Sequence, residues 1–275
     1  MASVINTNIS SITAQRNLTR SQVSLTTSVE RLSSGLRINS AKDDAAGLSI
    51  ATRMDAQVKG MNVAIRNAND GLSMAQTADG ALSTAVDALQ RMRELAVQSA
   101  NGSNDTSDRA NLDAEFQQLT QELNRLSTST KFNGLAVIGA DAGSTTFQVG
   151  ANVGDTLDIT TTDLSSTVTT LSSAASDITT ATNATAAITA IDDALTTINS
   201  DRATLGAAQN RFGYAISNLQ VSVENQSGAK SRIMDTDFAS ETASMTRAKI
   251  LQQAGTAMVA QANSLPNTVL TLLQQ

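Results

Sequence analysis

The side chains able to do chemistry in this chain are carboxylates, hydroxyls, amides and amines. Its 275 residues include no His and no Cys. That excludes a Ser-His-Asp or Cys-His nucleophile and a thiolate or imidazole metal site, because each needs a base titrating near neutrality or a soft ligand. Two acidic doublets, Asp43-Asp44 and Asp192-Asp193, have the composition of a carboxylate pair or a hard-cation site. On helices such doublets usually form a cap or a solvated face, and no Gly-rich loop or supporting polar shell accompanies either one. No position is assigned a catalytic, cofactor-binding or metal-binding role, and no enzyme is expected. Asn101-Gly102-Ser103 and Asn183-Ala184-Thr185 fit an Asn-glycosylation acceptor pattern. The remaining candidate is a surface rather than a reaction centre. Arg91, Leu95 and Gln98 stand at i, i+4 and i+7 of a helical segment, on a face away from its main apolar stripe.

Bulk composition narrows the partners. A net charge of −6 and a pI of about 4.7 argue against a phosphate-binding surface, so no nucleic-acid partner is expected. No apolar run reaches the ~18 residues of a membrane span, and no membrane partner is expected. The start Met1-Ala2-Ser3-Val4-Ile5-Asn6 lacks a charged and apolar leader pattern, so export would need a route other than ordinary secretion. Aromatic residues make up 2% of the chain against 40% apolar overall, which predicts slender helix packing rather than a thick core.

The elements that position these side chains follow from apolar spacing. Ile5, Ile9 and Ile12, then Leu18, Leu25, Val29, Leu32 and Leu36, step by three, four or seven and predict a terminal amphipathic helix. Small and turn-forming residues at Ser33-Ser34-Gly35 and Asn39-Ser40 predict a break. Beyond it Met54, Val58, Met61, Ile65, Leu72, Leu82, Val86 and Leu89 belong to a heptad seam that Asp79 and Arg93 interrupt. Such a seam predicts a rod on the order of 75 Å long. Gly60, Gly71 and Gly80 lie within it, either admitting a close neighbour or weakening the helix by about 1 kcal/mol each.

Asn101-Gly102-Ser103-Asn104-Asp105 predicts a turn into a shorter antiparallel helix carrying Leu112, Phe116, Leu119, Leu123 and Leu126. Asn133-Gly134 predicts another turn, and residues 146–150 and 156–160 alternate as strands. Lys and Arg are missing from Phe132 through Asp201 while Ser and Thr are dense, which predicts a solvent-facing insert. Ile188, Ile191, Leu195, Ile198, Leu205, Phe212, Ile216, Leu219 and Val223 form a second seam. After Asn225-Gln226-Ser227-Gly228 a final stripe runs through Met245, Ala248, Leu251, Met258 and Leu265. Pro266 is expected to kink or restart that helix before Val269, Leu270, Leu272 and Leu273.

The expected fold is mainly α: long antiparallel coiled-coil-like helical rods, a small β insert in the middle of the chain, and paired N- and C-terminal helices. Residues 1–44 supply the first half of a terminal helical domain and its connection. Residues 45–132 supply the long helix and the shorter antiparallel one, 133–184 the insert, 185–230 the returning rod helix, and 231–275 the second half of the terminal domain. Neither terminal stripe has a partner in its own half, and a lone amphipathic helix in water does not offset its ordering entropy. The two stripes must pair with each other or with neighbouring molecules, and both ends are expected to stay disordered until assembly.

The motifs Ile5-Asn6-Thr7-Asn8, Glu30-Arg31-Leu32-Ser33-Ser34-Gly35-Leu36-Arg37-Ile38-Asn39 and Leu89-Gln90-Arg91-Met92-Arg93-Glu94-Leu95 stand in the first half. Gln209-Asn210-Arg211-Phe212, Ser231-Arg232-Ile233-Met234-Asp235 and Ile250-Leu251-Gln252-Gln253-Ala254-Gly255 stand in the second. In this order they resemble bacterial flagellin, across residues 1–140 and 185–275. The resemblance implies a structural subunit that polymerises into the filament for swimming, in a short form without large outer domains. It implies that the terminal helices line an inner tube through Ile5, Ile9, Ile12, Leu25, Val29, Leu32, Leu251, Met258, Leu265, Val269, Leu270, Leu272 and Leu273, with the seams forming the surrounding shell.

The same resemblance implies no cofactor, export unfolded through the flagellar secretion apparatus, and an extracellular location. The implied partners are other copies of the chain, an export chaperone over the C-terminal helix, the filament cap and hook-filament junction proteins. Arg91, Leu95 and Glu115 match the family surface read by Toll-like receptor 5 of hosts, with Met92 where Val is usual. Burial against a neighbouring helix or subunit is the alternative role for Leu95. Val269-Leu270-Thr271-Leu272-Leu273 is similar to a segment read by cytosolic inflammasome sensors, with burial in the tube as its alternative. A hook-filament junction protein would share such ends, and a signalling coiled coil would share the heptads. The motifs around Arg91 and Gln252 favour flagellin over the first, and the β insert favours it over the second.

Overall fold

The computed structural model describes residues 7–174 and 176–273, with side chains through residue 265 apart from Ala174. The elements are α1 (Ile9–Ser34), α2 (Ala45–Ala100), α3 (Thr106–Ser129), β1 (Lys131–Phe132), β2 (Leu135–Ala136), β3 (Ser144–Gln148), β4 (Thr156–Thr160), α4 (Leu164–Ala174), α5 (Ala181–Met234) and α6 (Phe238–Leu273). The chain divides into two compact units, Met1–Ala56 with Asn225–Gln275, and Gln57–Glu224.

In the first unit α1 runs antiparallel to α6, with Arg31 beside Glu241 and Ser11 Oγ donating to Asn263 Oδ1 at 2.6 Å. Asn8 caps α1 by accepting the Ser11 N–H, and Gly35 ends it at φ 71°, a left-handed conformation that favours glycine. This is the expected break. The chain leaving α1 is stitched to the end of α5: Leu36 bridges Asp235, and the Arg37 N–H donates to the Met234 carbonyl at 2.6 Å. The first acidic doublet bonds backbone N–H groups on either side of it, Asp43 in the turn before α2 and Asp44 in the manner of an N-cap of α2. Asp43 accepts the Asn39 and Ser40 N–H groups, which hold its carboxyl below the usual range, and Asp44 accepts the Gly47 N–H. Lys230 and Asp55 form an ion pair.

In the second unit α2 and α5 are antiparallel, fixed in register by Arg93–Asp192 at 2.7 Å and Arg202–Asp79 at 2.9 Å. The two charges that interrupt the first seam are therefore the ones that pair across the rods. The expected turn after α2 leads into α3, capped by a box between Asp105 and Asp108. Asn133 and Gly134, at φ 49° and 89°, turn the β1–β2 hairpin. β3 pairs antiparallel with β4 from Ser144↔Thr160 to Gln148↔Thr156.

Three local expectations are corrected. α4 lies within the segment read as insert: Leu164, Val168 and Leu171 are buried at i, i+4 and i+7, a stripe hidden in sequence by the weak helix formers Ser and Thr around it. Asn225–Gly228 makes no break, since α5 continues through it to Met234, and α6 is likewise one helix past Pro266.

The packed face of the rods is also shifted from the seam read in sequence. Met61, Leu82, Val86 and Leu89 are buried, but Met54, Val58, Ile65 and Leu72 are half-buried. The buried partner line is Ala64, Gly71, Ala78, Ala85, Met92 and Ser99, seven residues apart. On α5 Ile191, Ile198, Leu205, Phe212 and Leu219 are buried as expected, while Ala187, Ala194 and Ala208 replace the half-buried Ile188, Leu195, Ile216 and Val223. Small side chains let the helices approach closely, so the bulkier residue one position away is pushed to the rim. Gly71 belongs to this contact, since a Cβ there would stand 2.9 Å from the Phe212 ring.

Candidate assembly and recognition surfaces

The terminal helix pair is zipped by small side chains. Ser11 and Ser28 of α1 and Ala248 and Ala262 of α6 are buried, and Gly255 lies against Leu18. Leu25 and Leu32 are half-buried. Helices that meet through Ser, Ala and Gly cannot also cover their large apolar neighbours, which fall on the outer faces. Ile9, Ile12, Val29, Leu251, Met258 and Leu265, all expected in an inner tube, are exposed, Ile9 by 66%. Val23 and Ile250, not singled out in sequence, are exposed with them. Side chains of this size gain about 1.5–3 kcal/mol each on full burial. A groove between the helices is lined by Ile9, Ala14, Leu251, Ala254, Gly255 and Met258. Ile5, Val269, Leu270, Leu272 and Leu273 lie outside the residues whose side chains are described.

The second surface sits where α3 turns back along α2. Arg109 of α3 donates to the Ser99 and Asn101 carbonyls, anchoring the turn. This brings Glu115 to Arg91: Arg91 Nε donates to Glu115 Oε1 at 2.8 Å and a terminal nitrogen donates to Glu94 Oε2 at 3.0 Å. Bonding to Glu115 first, then Glu94, raises the guanidinium pKa further, so its charge is fixed. Both partners are about half exposed, and a pair in that setting contributes geometry more than stability.

Leu95 does not join them. It is 1% exposed and belongs to the same core as Met92 and Phe116. Spacing of the bulky residues puts it off the seam, but it stands three residues after buried Met92 and faces inward with it. The apolar side chain that does face outward is Val97, which with Gln90, Arg93, Glu94 and Gln98 lines a shallow depression. Stepping from Gln90 to Glu94 to Val97 at helical spacing would have found that face.

The second acidic doublet holds no separate site, since Asp192 is Arg93's partner and is kept below the usual carboxylate range by it. Among the described residues no group of three His, Cys, Asp or Glu converges, and no helix is long and apolar enough to cross a membrane. Of the two Asn acceptor patterns, the Asn101 side chain accepts the Ser103 N–H within its turn, and Asn183 donates to Asp177 at 2.8 Å.

Known proteins agree with this arrangement. Residues 5–142 match the model of the bacterial flagellin N-terminal helical region, and residues 188–273 that of the C-terminal helical region. A flagellin of Halalkalibacterium halodurans is 48% identical over 98% of this chain and 100% of its own length. The crystal structure of a Bacillus cereus flagellin covers 56% of this chain and 88% of that one, at 32% identity and a TM-score of 0.51. A putative flagellar hook-associated protein from Vibrio parahaemolyticus shares the fold alone, covering 70% of this chain and 97% of that one at 16% identity and a TM-score of 0.51.

Proposed function

The chain belongs to the bacterial flagellin family and is a structural subunit of the flagellar filament, and from that premise we propose that its polymer is made by the outer faces of the α1–α6 pair. The observation that carries this is the run of large apolar side chains there, Ile9, Ile12, Val23, Val29, Ile250, Leu251, Met258 and Leu265, in a pair zipped by Ser, Ala and Gly. A second copy is the occupant whose chemistry matches, because the same faces on a neighbour supply equally large apolar chains. The terminal helices order on docking, when that burial offsets the entropy of fixing them. Residues 1–44 and 231–275 act as the two halves of the inner-tube domain, and the chain is secreted unfolded before assembling outside the cell. Its export chaperone, the filament cap and the hook-filament junction proteins bind these ends in turn.

The test is seeded elongation watched by electron microscopy. Purified chain is expected to extend filament seeds, and Ile12→Ser combined with Leu251→Ser is expected to stop extension while leaving the unfolding of the rod unit unchanged. Elongation of the double variant at the wild-type rate would overturn the assignment of the assembly face.

Released monomer is read by Toll-like receptor 5 of hosts through Arg91 and Glu115, with Leu95 holding α2 against α3 beneath them. Exposure of the Arg91–Glu115 pair supports this reading. Arg91→Ala with Glu115→Ala should reduce signalling in a receptor reporter cell without changing the monomer's circular dichroism. Unchanged signalling would remove the receptor reading and leave the filament reading intact.

A further inference from the structure

We propose that Met258 is an oxidation site whose sulfoxide blocks assembly, a reading that rests on the α1–α6 assembly face and adds a chemical control to it. The chain has eight methionines and no Cys, so thioether is its only sulfur chemistry. Within the rod unit Met61, Met74 and Met92 are buried, while in the terminal unit Met54 of α2, Met234 of α5 and Met245 of α6 are half-buried. Met258 is 60% exposed and is the one exposed methionine among the described residues. Pairing with α1 leaves it open to solvent, and so does any state that precedes pairing, whereas the rod methionines stay shielded in both.

Its position gives the modification a consequence. Met258 lines the groove with Ile9, Leu251, Ala254 and Gly255. Hydrogen peroxide would transfer one oxygen to the Sδ lone pair: the O–O bond breaks, an S–O bond forms, the sulfur loses two electrons, and the peroxide leaves as water after a proton shift through solvent. A flexible apolar side chain thereby becomes a polar one with a strong acceptor. Seating a second copy over it would bury that acceptor. Once assembled, the same thioether is covered, so the filament resists the oxidant that disables the free subunit.

The experiment treats unassembled protein with hydrogen peroxide, maps methionine sulfoxide by peptide mass spectrometry, and measures seeded elongation. Met258 is expected to oxidise about tenfold or more faster than Met61, Met74 and Met92, and elongation to slow about tenfold. Methionine sulfoxide reductase should restore it. Met258→Leu and Met258→Ile, treated identically, should each keep their own untreated rate. Equal oxidation of Met258 and the rod methionines would overturn the proposal. So would undiminished elongation by oxidised wild type, or a loss that persists in both Met258 variants and disappears in Met245→Leu. Untreated wild type that fails to extend seeds would overturn the assembly reading and the switch with it, while the peptide map still decides the modification site.

Discussion

Replacing Gly71 and Gly80 by Ala, one at a time, separates helix propensity from close packing inside a single helix. Both lie in the interior of α2, where Ala is favoured over Gly by about 1 kcal/mol. At Gly80 no heavy atom lies within 4 Å of the new Cβ, so Gly80→Ala is expected to stabilise the rod unit by ~0.5–1 kcal/mol. At Gly71 the Cβ would stand 2.9 Å from two ring carbons of Phe212 and 3.2 Å from Phe147. Phe212 is 1% exposed, and Phe147 meets it edge to face with centroids 5.8 Å apart, so the Phe212 ring cannot retreat without displacing a neighbour. Overpacking of this kind costs about 1–3 kcal/mol. The helical gain is common to the two variants and cancels between them. Gly71→Ala should therefore fall below Gly80→Ala by ~1–3 kcal/mol in urea unfolding followed by far-ultraviolet circular dichroism, with unchanged slope. Adding Phe212→Leu should shrink the penalty at residue 71. Equal midpoints for the two Ala variants would refute the close approach, and so would additivity of Gly71→Ala with Phe212→Leu to within ~0.5 kcal/mol.

Leu95→Ala should destabilise the rod unit by about 2–5 kcal/mol in thermal unfolding, as for a core leucine; a loss below about 1 kcal/mol would place the side chain at the surface. Ser99 is fully buried and its hydroxyl donates to the Ile178 carbonyl at 2.5 Å. Ser99→Ala should cost about 1–3 kcal/mol and speed amide exchange around the start of α5, and unaltered exchange there would argue against the bond. Bonding from Arg93 holds Asp192 below its ordinary 3.8, and Thr179 and Asn183 do the same for Asp177. A depressed carboxylate contributes stability in full above its unfolded pKa and loses it as pH falls through the folded one. The urea midpoint should be level down to about pH 5 and fall below about pH 4, less steeply in Asp192→Asn; a midpoint rising on acidification would contradict the pairing.

Helical periodicity made the rods legible in the sequence, turn-forming residues the bend at Asn101–Asp105, and alternation the strands around Phe147 and Ile159. What it concealed was which line of each heptad faces inward. A reading weighted by side-chain size favours Val58, Ile65 and Leu72, yet the close contact belongs to Ala64, Gly71 and Ala78, because interhelical distance is set by the smallest residues that line up. The same bias misplaced Leu95, which follows the hidden line, and it hid α4, whose three apolar anchors are diluted by Ser and Thr. That Arg91 and Glu115 belong to one surface was suggested only by family resemblance, and the pairing of their side chains was not legible. They are 24 residues apart, and nothing in periodicity measures a distance across a turn.

Both units use the same device, small residues facing a partner helix, but they complete it differently. In the rod unit a further layer covers what the helix pair leaves over: Phe116 and Leu123 of α3, Ile159 of β4 and Leu171 of α4 are all buried against it. Among the described residues the terminal unit has no element beyond α1 and α6 to play that part, since its other described residues are a connection and the adjoining ends of α2 and α5. Two helices present one shared face and several free ones, so a pair zipped through Ser, Ala and Gly must leave Ile9, Ile12, Leu251 and Met258 in water. Polar substitutions there would have made a soluble hairpin. In the proposed assembly the missing layer is supplied by neighbouring copies, and a helical polymer of identical subunits supplies it at every position.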